Sequence, residues 1–322
     1  MEYRRVGRTG LKVSAIALGS WLTLGQAVDD DTAAESIHAA FDLGINYFDT
    51  ANVYQGGVAE RVLGKALKGL PRSAYVLATK AFWPVGDGPN DRGLSRKHLF
   101  EQVHQSLRRL GTDYVDIFFC HRYDPETPLE ETLRALEDLV RQGKVLYPGV
   151  SEWTADQMAQ ALRLAEARGW DRIAVDQPIY NMLRRDLERE ILPLARREGL
   201  GLVVFSPLAQ GVLTGKYRAG EPAPAGSRGA DPRLSRLVQE QLTPEVHAKV
   251  QALSNLAAEM GVPMAQLALA WAIRDPAVNS AITGATSVEQ VRMNAAAADL
   301  RLDASTLSRI DAILAGGAEP AA

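Results

Sequence analysis

Short apolar runs and longer amphipathic stretches alternate along the chain in a regular order. Eight runs have the length and apolar content of buried strands, and each is followed by a stretch with apolar residues at the i, i+3, i+4, i+7 spacing of a helix face. The predicted strands are Ala15–Leu18, Ile45–Phe48, Tyr75–Ala78, Tyr114–Phe119, Val145–Val150, Ile173–Val175, Leu202–Phe205 and Val278–Thr283. The predicted helices are Thr32–Leu43, Ala59–Leu67, Ser95–Leu110, Leu129–Arg141, Ala155–Ala167, Leu187–Arg197, Pro263–Arg274 and Val288–Ala298.

A strand followed by a helix, eight times over, predicts an α/β fold of the (β/α)8 TIM barrel type. The length of 322 residues suits such a barrel, which takes about 250 residues before insertions. We expect one domain over residues 1–322, because no shift in composition marks a second one. The additions to the barrel are an N-terminal β-hairpin at Tyr3–Val6 and Leu11–Val13, two extra helices near Pro244–Met260 and Ala304–Leu314, and a surface loop at Gly220–Arg233.

The main rival architecture is an open dinucleotide-binding sheet. That fold requires a G-x-G-x-x-G string between its first strand and helix, and no such string occurs here. The run from Gly211 to Tyr217 approaches a P-loop, but its spacing is wrong and no Ser or Thr follows Lys216. Both nucleotide-binding motifs are therefore rejected.

Composition narrows the functional classes. The formal net charge is −3, so no large basic field attracts nucleic acid or an anionic membrane surface. Cys120 is the single cysteine, which excludes an internal disulfide, and the five histidines form no metal-ligand motif, so we expect no bound metal. The N-terminus lacks the apolar core of a secretion signal, and no apolar run approaches the roughly 20 residues of a membrane span. We expect a cytoplasmic protein without membrane insertion; a homo-oligomer is compatible with the sequence.

Candidate chemistry lies where three neighbouring predicted strands end, the usual place for the active site of this fold. Asp49 follows the second strand, Tyr54 lies in the loop after it, Lys80 follows the third strand, and His121 follows the fourth. Taken singly, each has a structural explanation, such as a turn residue or a solvated charge. Their joint placement around one rim is what indicates a catalytic site.

These four groups suit the reduction of a carbonyl. A phenol at Tyr54 can protonate the developing alkoxide, but its ordinary pKa near 10 is high for this task. The ammonium of Lys80 is expected to lower that pKa, Asp49 to hold Lys80 charged, and His121 to orient the carbonyl oxygen through a hydrogen bond.

The same residues resemble the catalytic tetrad of the aldo-keto reductase family. The strings that carry the resemblance are Asp49-Thr-Ala-Asn-Val-Tyr54, Thr79-Lys80 and His121. The likeness runs from the N-terminal hairpin to Gly284-Ala-Thr286. Arg92-Gly-Leu-Ser-Arg-Lys-His98 and Thr127-Pro-Leu-Glu-Glu-Thr132 are typical of the potassium-channel β-subunit-like branch.

The resemblance implies an NADP(H) cofactor across the barrel mouth and a small carbonyl substrate. Its implied cofactor contacts are Ser20, Trp21, Gln26, Asp49, Ser151, Gln177, Ser206, Pro207, Leu208, Gln210, Gly211, Lys216, Arg228, Gly284, Thr286, Gln290 and Asn294. Three of these residues also have a physical reason to bind a phosphate. Lys216 and Arg228 add positive charge, and Thr286 lies where the last helix begins and offers N–H groups. The expected substrate walls are Trp21, Tyr54 and Trp83, and Trp153 is either a fourth wall or a packed residue at a helix start.

Two departures from the family pattern bear on cofactor choice. Met293 replaces an acidic residue that faces the adenosine, and Glu152 replaces a basic residue beside the carboxamide-binding Ser151. NADPH is favoured over NADH on the remaining residues.

Two other functions compete with an aldehyde reductase that also accepts ketones. The first is a regulatory subunit of a membrane channel that binds NADPH as a redox sensor; channel β-subunits typically carry Asn at the position of His121, which favours catalysis here. The second is a Schiff-base aldolase with Lys80 as the nucleophile, which requires a neutral lysine. Cys120 is interpreted either as a redox-sensitive thiol or as an inert buried one.

Overall fold

The predicted alternation folds into a closed barrel of eight parallel strands in the computed structural model, which describes residues 1–316. The strands are β1 (Tyr3–Arg5), β2 (Lys12–Ser14), β3 (Ile16–Gly19), β4 (Tyr47–Asp49), β5 (Val76–Ala81), β6 (Val115–Cys120), β7 (Val145–Val150), β8 (Val175–Asp176), β9 (Gly201–Phe205) and β10 (Val278–Thr283). Strands β3 to β10 pair in chain order, and β10 closes the barrel against β3. The predicted (β/α)8 fold is confirmed.

Helices follow the barrel strands, as the amphipathic stretches predicted. They are α1 (Asp30–Asp42), α2 (Val58–Leu67), α3 (Arg96–Leu110), α4 (Leu129–Arg141), α5 (Ala155–Arg168), α6 (Ile191–Glu198), α7 (Ser235–Gln239), α8 (Pro244–Glu259), α9 (Met264–Ala272), α10 (Val288–Ala296) and α11 (Ala304–Leu314). The two extra helices are α8 and α11. The short α7, which follows the predicted surface loop, was not expected.

Local chemistry sets the helix ends. Ser95 caps α3 by accepting a hydrogen bond from the His98 N–H, and Gly111 ends the helix in the left-handed conformation that glycine adopts without a Cβ penalty. Thr154 and Gln157 form a reciprocal capping box at the start of α5.

The sixth strand–helix unit differs most from its prediction. The predicted helix Leu187–Arg197 is shortened to Ile191–Glu198, with a separate 3-10 turn before it. Pro193 explains the later start, because proline has no N–H to donate and is tolerated only in the first turn of a helix. Strand β8 is also reduced to two residues.

The hairpin β1–β2 covers the amino-terminal end of the barrel. Val6 and Val13 are buried in one apolar cluster with the interior side chains Tyr47 and Phe119. The backbone N–H of Arg8 donates to the Gly199 carbonyl at 2.9 Å, which ties the hairpin to the segment that enters β9. The opposite, carboxyl end of the strands is left to the long loops.

A glycine in this hairpin is required by the close approach of two backbones. Gly7 has φ +52°, and a Cβ there would lie 2.3 Å from the Gly199 carbonyl oxygen. We expect Gly7→Ala to destabilise the protein by about 2–4 kcal/mol, combining a left-handed alanine with an overpacked contact. Gly10→Ala is the matched control, since its Cβ would meet no atom of the described residues within 4 Å. Urea unfolding midpoints check this, and equal midpoints for the two variants would contradict the assignment.

Two sequence predictions, one on the number of domains and one on membrane spans, concern the whole chain, whereas the structure describes residues 1–316. The expectation of one domain over residues 1–322 stays a prediction, because residues 317–322 lie outside the described residues. Within residues 1–316, no helix is both long and apolar enough to cross a membrane.

Candidate active site

Backbone strain is concentrated at the carboxyl end of the barrel. Within residues 1–316, six non-glycine residues have a positive φ, and all lie in loops that follow barrel strands: Leu22, Gln55, Glu152, Ser206, Ala209 and Gln210. Such conformations each cost roughly 1–3 kcal/mol and persist where the surrounding structure holds them, commonly at ligand-binding sites. The strain therefore points to the same rim as the candidate chemistry.

The four predicted catalytic residues lie together at this rim. Lys80 is fully buried, and its Nζ donates to Asp49 Oδ1 at 2.5 Å. The same ammonium donates to the Thr50 carbonyl at 2.8 Å and to the Tyr54 hydroxyl at 3.5 Å. One cation thus links the carboxylate of β4 to the phenol of the following loop.

A second layer of hydrogen bonds fixes the carboxylate. Gln177 Nε2 donates to Asp49 Oδ2 at 2.9 Å, and the Tyr47 hydroxyl lies 3.5 Å from the same oxygen. The Ser151 hydroxyl donates to the Gln177 backbone carbonyl at 2.8 Å, which joins the end of β7 to the residue after β8. Asp49 is held by donors from three elements and has little freedom to turn away from Lys80.

His121 completes the group from the end of β6. Its ring centroid lies 5.9 Å from that of Tyr54, edge to face, and 6.3 Å from that of Trp83. All three side chains line one cleft, so a carbonyl placed there can approach both the phenol and the imidazole.

The electrostatics correct one prediction. Burial raises the pKa of Tyr54, and the opposing effect of Lys80 does not overcome it, so the net pKa lies above the usual value instead of below it. The phenol is therefore protonated at neutral pH, which is the form that a proton donor requires.

The protonation states of Lys80 and His121 suit carbonyl reduction and not a Schiff-base mechanism. Burial lowers the pKa of Lys80, but the neighbouring Asp49 and Tyr54 raise it by more, so the net shift of this pKa is upward. Burial, with Lys80 and Arg122 nearby, holds the pKa of His121 well below its usual range. An ammonium at Lys80 does not favour nucleophilic attack, whereas a neutral imidazole can hydrogen-bond a carbonyl oxygen.

These shifts predict a distinctive pH profile. We expect kcat/KM for carbonyl reduction to stay nearly flat from about pH 6 to pH 9, because neither His121 nor Tyr54 titrates in that window. The rate should fall only at higher pH, as the phenol loses its proton. Steady-state rates in a series of overlapping buffers check this, and a loss centred on the ordinary histidine pKa of 6.5 would contradict the neutral His121.

The cleft that contains these groups has a volume of about 910 Å³. Most of the residues that the family resemblance implies lie along its wall: Trp21, Asp49, Tyr54, Trp83, His121, Ser151, Gln177, Ser206, Pro207, Leu208, Gln210, Gly211, Lys216, Arg228, Gly284, Thr286, Gln290 and Asn294. The structure thus brings together residues from all eight strand ends. The end of β5 contributes Trp83, whereas Lys80 of the same strand is fully buried behind Tyr54.

Two of the implied cofactor residues lie outside this wall. Ser20 is buried, and its Oγ has no hydrogen-bond partner within the described chain. The Gln26 side chain accepts a hydrogen bond from Gln55 and so links the loops after β3 and β4. A cofactor contact for either residue stays a prediction.

The end of the cleft away from Tyr54 is positively charged. Arg228 donates to the Gln210 side chain at 2.6 Å, and Gln210 donates to the Ser206 hydroxyl at 2.8 Å. Lys216 Nζ lies 5.4 Å from the Tyr217 ring centroid. Neither cation forms an ion pair within residues 1–316, which leaves both charges available to an anion.

The helix start predicted beside Thr286 is present but partly occupied. Ser287 caps α10 by accepting from the Gln290 N–H. The Thr286 N–H, however, donates to the Gln290 side chain at 3.0 Å. A phosphate at this helix start therefore has to displace the Gln290 side chain to reach the Thr286 N–H.

The structure decides two open alternatives. Trp153 is 1% exposed, packs edge-on against Tyr123 at a centroid distance of 4.9 Å and does not line the cleft, so it is a packed residue. Cys120 is buried and burial raises the pKa of its thiol, which favours the inert interpretation. Among residues 1–316, no group of three or more His, Cys, Asp or Glu side chains could hold a metal ion.

Sequence reasoning missed Arg122 as a cleft residue. Its position directly after His121, where β6 ends, was a usable signal, because side chains just past a strand end lie at the barrel mouth.

Comparisons with known proteins agree with the geometry. The model of the aldo/keto reductase family matches residues 15–315. A probable voltage-gated potassium channel subunit beta of Arabidopsis thaliana is 45% identical over 303 residues, covering 93% of this chain and 92% of that protein. The rice protein (Oryza sativa subsp. japonica) of the same name is 44% identical over 319 residues, covering 98% and 97%. A putative subunit of this kind from Schizosaccharomyces pombe is 43% identical over 324 residues, covering 98% and 93%.

Proposed function

Since the chain belongs to the aldo/keto reductase family, whose members are oxidoreductases, we propose that it is an NADPH-dependent reductase of aldehydes, and by extension ketones, with Tyr54 as the general acid. The observation that carries the proposal is the buried chain Asp49–Lys80–Tyr54, which ends on a protonated phenol in the cleft. The substrate is a small carbonyl compound, and no nucleic acid or membrane insertion is involved. The enzyme is proposed to act in the cytoplasm, as one domain over residues 1–322, alone or as a homo-oligomer.

The residues of the cleft suit a nicotinamide dinucleotide phosphate. Lys216 and Arg228, neither of which forms an ion pair within the described residues, offer positive charge to its phosphates, which favours NADPH over NADH. At the other end, the side-chain amide of Gln177 donates to Asp49 through Nε2. Its side-chain oxygen Oε1 is proposed to accept a hydrogen bond from the carboxamide of the nicotinamide, next to the hydroxyl of Ser151. NADPH, when bound, supplies the hydride.

The chain's own residues supply the proton and the orientation. As the carbonyl carbon receives a hydride, the carbonyl oxygen takes the proton of the Tyr54 hydroxyl, and the substrate becomes an alcohol. The resulting phenolate is stabilised by the Lys80 ammonium 3.5 Å away until solvent returns the proton. The neutral His121 donates a hydrogen bond that holds the carbonyl oxygen near Tyr54.

A second candidate function follows from the names of the relatives. Proteins 43–45% identical to this chain are named as potassium channel β-subunits, so a regulatory subunit that binds NADPH without turning it over is the alternative. The histidine at position 121, a hydrogen-bond donor beside the phenol, favours the reductase.

Binding and turnover measured side by side separate the two candidates. The purified protein is titrated with NADPH and with NADH by fluorescence, and oxidation of the reduced nicotinamide is then followed with a simple aromatic aldehyde. Tighter binding of NADPH with Tyr54-dependent turnover supports the reductase. Tight binding without turnover across a panel of aldehydes supports the regulatory subunit, and no binding of either nucleotide contradicts both.

A further inference from the structure

One charged side chain at the chemical end of the cleft has no acidic partner in the part of the chain that the structure describes. Arg122 is half-buried, lines the cleft beside His121 and follows it directly in the chain. Its guanidinium carbon lies 5.5 Å from the centroid of the Trp83 ring, and its Nη1 donates to the His121 carbonyl at 2.5 Å. Within the described residues, no carboxylate pairs with it.

The charges along the cleft are unbalanced. Among the residues that the structure describes, its wall contains three cations, Arg122, Lys216 and Arg228, and a single carboxylate, Asp49. That carboxylate is already neutralised by Lys80. Lys216 and Arg228 lie at the end proposed for the phosphates of the cofactor. Arg122 lies at the other end, where the substrate reacts, and its positive charge is not neutralised by any carboxylate of the described residues.

The geometry leaves most of the guanidinium available. Arginine has five N–H donors, and the hydrogen bond to the His121 carbonyl uses only Nη1, so Nε and Nη2 donate to nothing within residues 1–316. That hydrogen bond and the contact with the indole of Trp83 hold the Arg122 guanidinium in one orientation. A fixed guanidinium edge in a partly desolvated cleft matches the two oxygens of a carboxylate or phosphate.

We propose that Arg122 binds an oxyanion of the substrate, and that the preferred substrates of this site are short aldehydes with a carboxylate or phosphate a few bonds from the carbonyl. This inference rests on the proposed reductase function. Arg122 lies over Trp83, whose ring centroid is 6.3 Å from that of His121, so an anion bound there lies next to the reacting carbonyl. Anchoring the anion positions the carbonyl between Tyr54 and His121.

The test compares matched substrates that differ in charge. We would measure kcat/KM at saturating NADPH for 4-oxobutanoate and its methyl ester, and for glycolaldehyde phosphate and glycolaldehyde. We expect at least one anion to exceed its neutral partner by about 10- to 100-fold, the range of a charge-assisted hydrogen bond. Which pair shows the larger ratio tells whether the anion is a carboxylate or a phosphate. The ratio should also fall as salt is added, because screening weakens the attraction.

Variants then assign the preference to one side chain. Arg122→Gln should reduce the anion-to-neutral ratio to about 1–3, mainly through KM for the anion, while Arg122→Lys should keep an intermediate ratio. Arg163→Gln removes the same charge from an exposed position on α5 outside the cleft and should leave the ratio as it is. A ratio is used because it cancels any general loss of active protein.

Three results would overturn the inference. Tyr54-dependent turnover of the neutral aldehydes with no preference for either anion would overturn it and leave the reductase intact. An equal loss for both members of a pair in Arg122→Gln, together with weaker NADPH binding, would place Arg122 on the cofactor instead. Bound NADPH with no turnover of any of the four aldehydes would overturn the proposed function and this inference with it.

Discussion

Replacing Tyr54 by Phe is expected to lower kcat for aldehyde reduction by roughly 10²–10⁴-fold, the usual contribution of a positioned general acid. The variant removes only the hydroxyl that Lys80 contacts at 3.5 Å and that is protonated at neutral pH. The ring still packs beside His121. NADPH binding should therefore stay close to that of the unaltered protein, and the loss should appear in kcat.

Tyr147→Phe is the matched control for this variant. Tyr147 is half-buried against the interior cluster that includes Tyr47 and Phe119, and the hairpin covers that end of the barrel. Losing its hydroxyl should leave kcat within a factor of about 3, because surface and peripheral changes rarely alter the site. Stopped-flow single-turnover rates separate chemistry from product release. A Tyr54→Phe protein with the single-turnover rate of Tyr147→Phe would show that another group donates the proton.

Replacing Lys80 by Met should abolish most activity and also destabilise the fold by about 3–5 kcal/mol. The substitution leaves the Asp49 carboxylate buried without its cation, which is the costly way to break a buried ion pair. It also removes the ammonium that stabilises the Tyr54 phenolate, so proton transfer from Tyr54 to the substrate becomes slower. Urea unfolding and single-turnover kinetics are measured on the same preparation.

A double variant separates stability from chemistry. Lys80→Met with Asp49→Asn removes both charges, and replacing a buried pair together is far less costly than removing one partner. We expect the double variant to recover much of the lost stability and none of the lost turnover. If turnover returned together with stability, the pair would act only in folding and the catalytic role of Lys80 would be wrong.

The sequence was sufficient to predict the barrel and most of the cleft because both depend on local pattern. Apolar runs that end in Asp49, Lys80 and His121 mark the places where strands leave the core, and parallel strands bring such ends to one rim. The confirmed barrel and the cleft lining followed from that rule together with the family resemblance.

The errors arose where a local pattern competes with another constraint. The periodicity over Leu187–Arg197 is helical, but Pro193 delays the helix to Ile191, since the missing N–H of proline outweighs the apolar stripe. The prediction of a lowered pKa for Tyr54 considered the charge of Lys80 and not the burial of the phenol. Burial is a property of the packed structure, so no sequence spacing reveals it.

Contacts between loops were also beyond the sequence. The hydrogen bond between the side chains of Gln26 and Gln55 depends on how the loops after β3 and β4 meet; Gln55 lines the cleft, whereas Gln26 does not. The absence of an acidic partner for Arg122 within residues 1–316 likewise appears only when all neighbouring strand ends are assembled.

The proposed reductase is tested most directly by following the transfer of the hydride from NADPH to the substrate. The protein is incubated with NADPH that carries deuterium at the transferable position of the nicotinamide ring and with an aromatic aldehyde, and the product is analysed by mass spectrometry and NMR. We expect an alcohol with one deuterium on the former carbonyl carbon, formed by the unaltered protein and in strongly reduced amount by Tyr54→Phe. Tight binding of NADPH with no labelled alcohol, or labelled alcohol formed equally well without the Tyr54 hydroxyl, would contradict it.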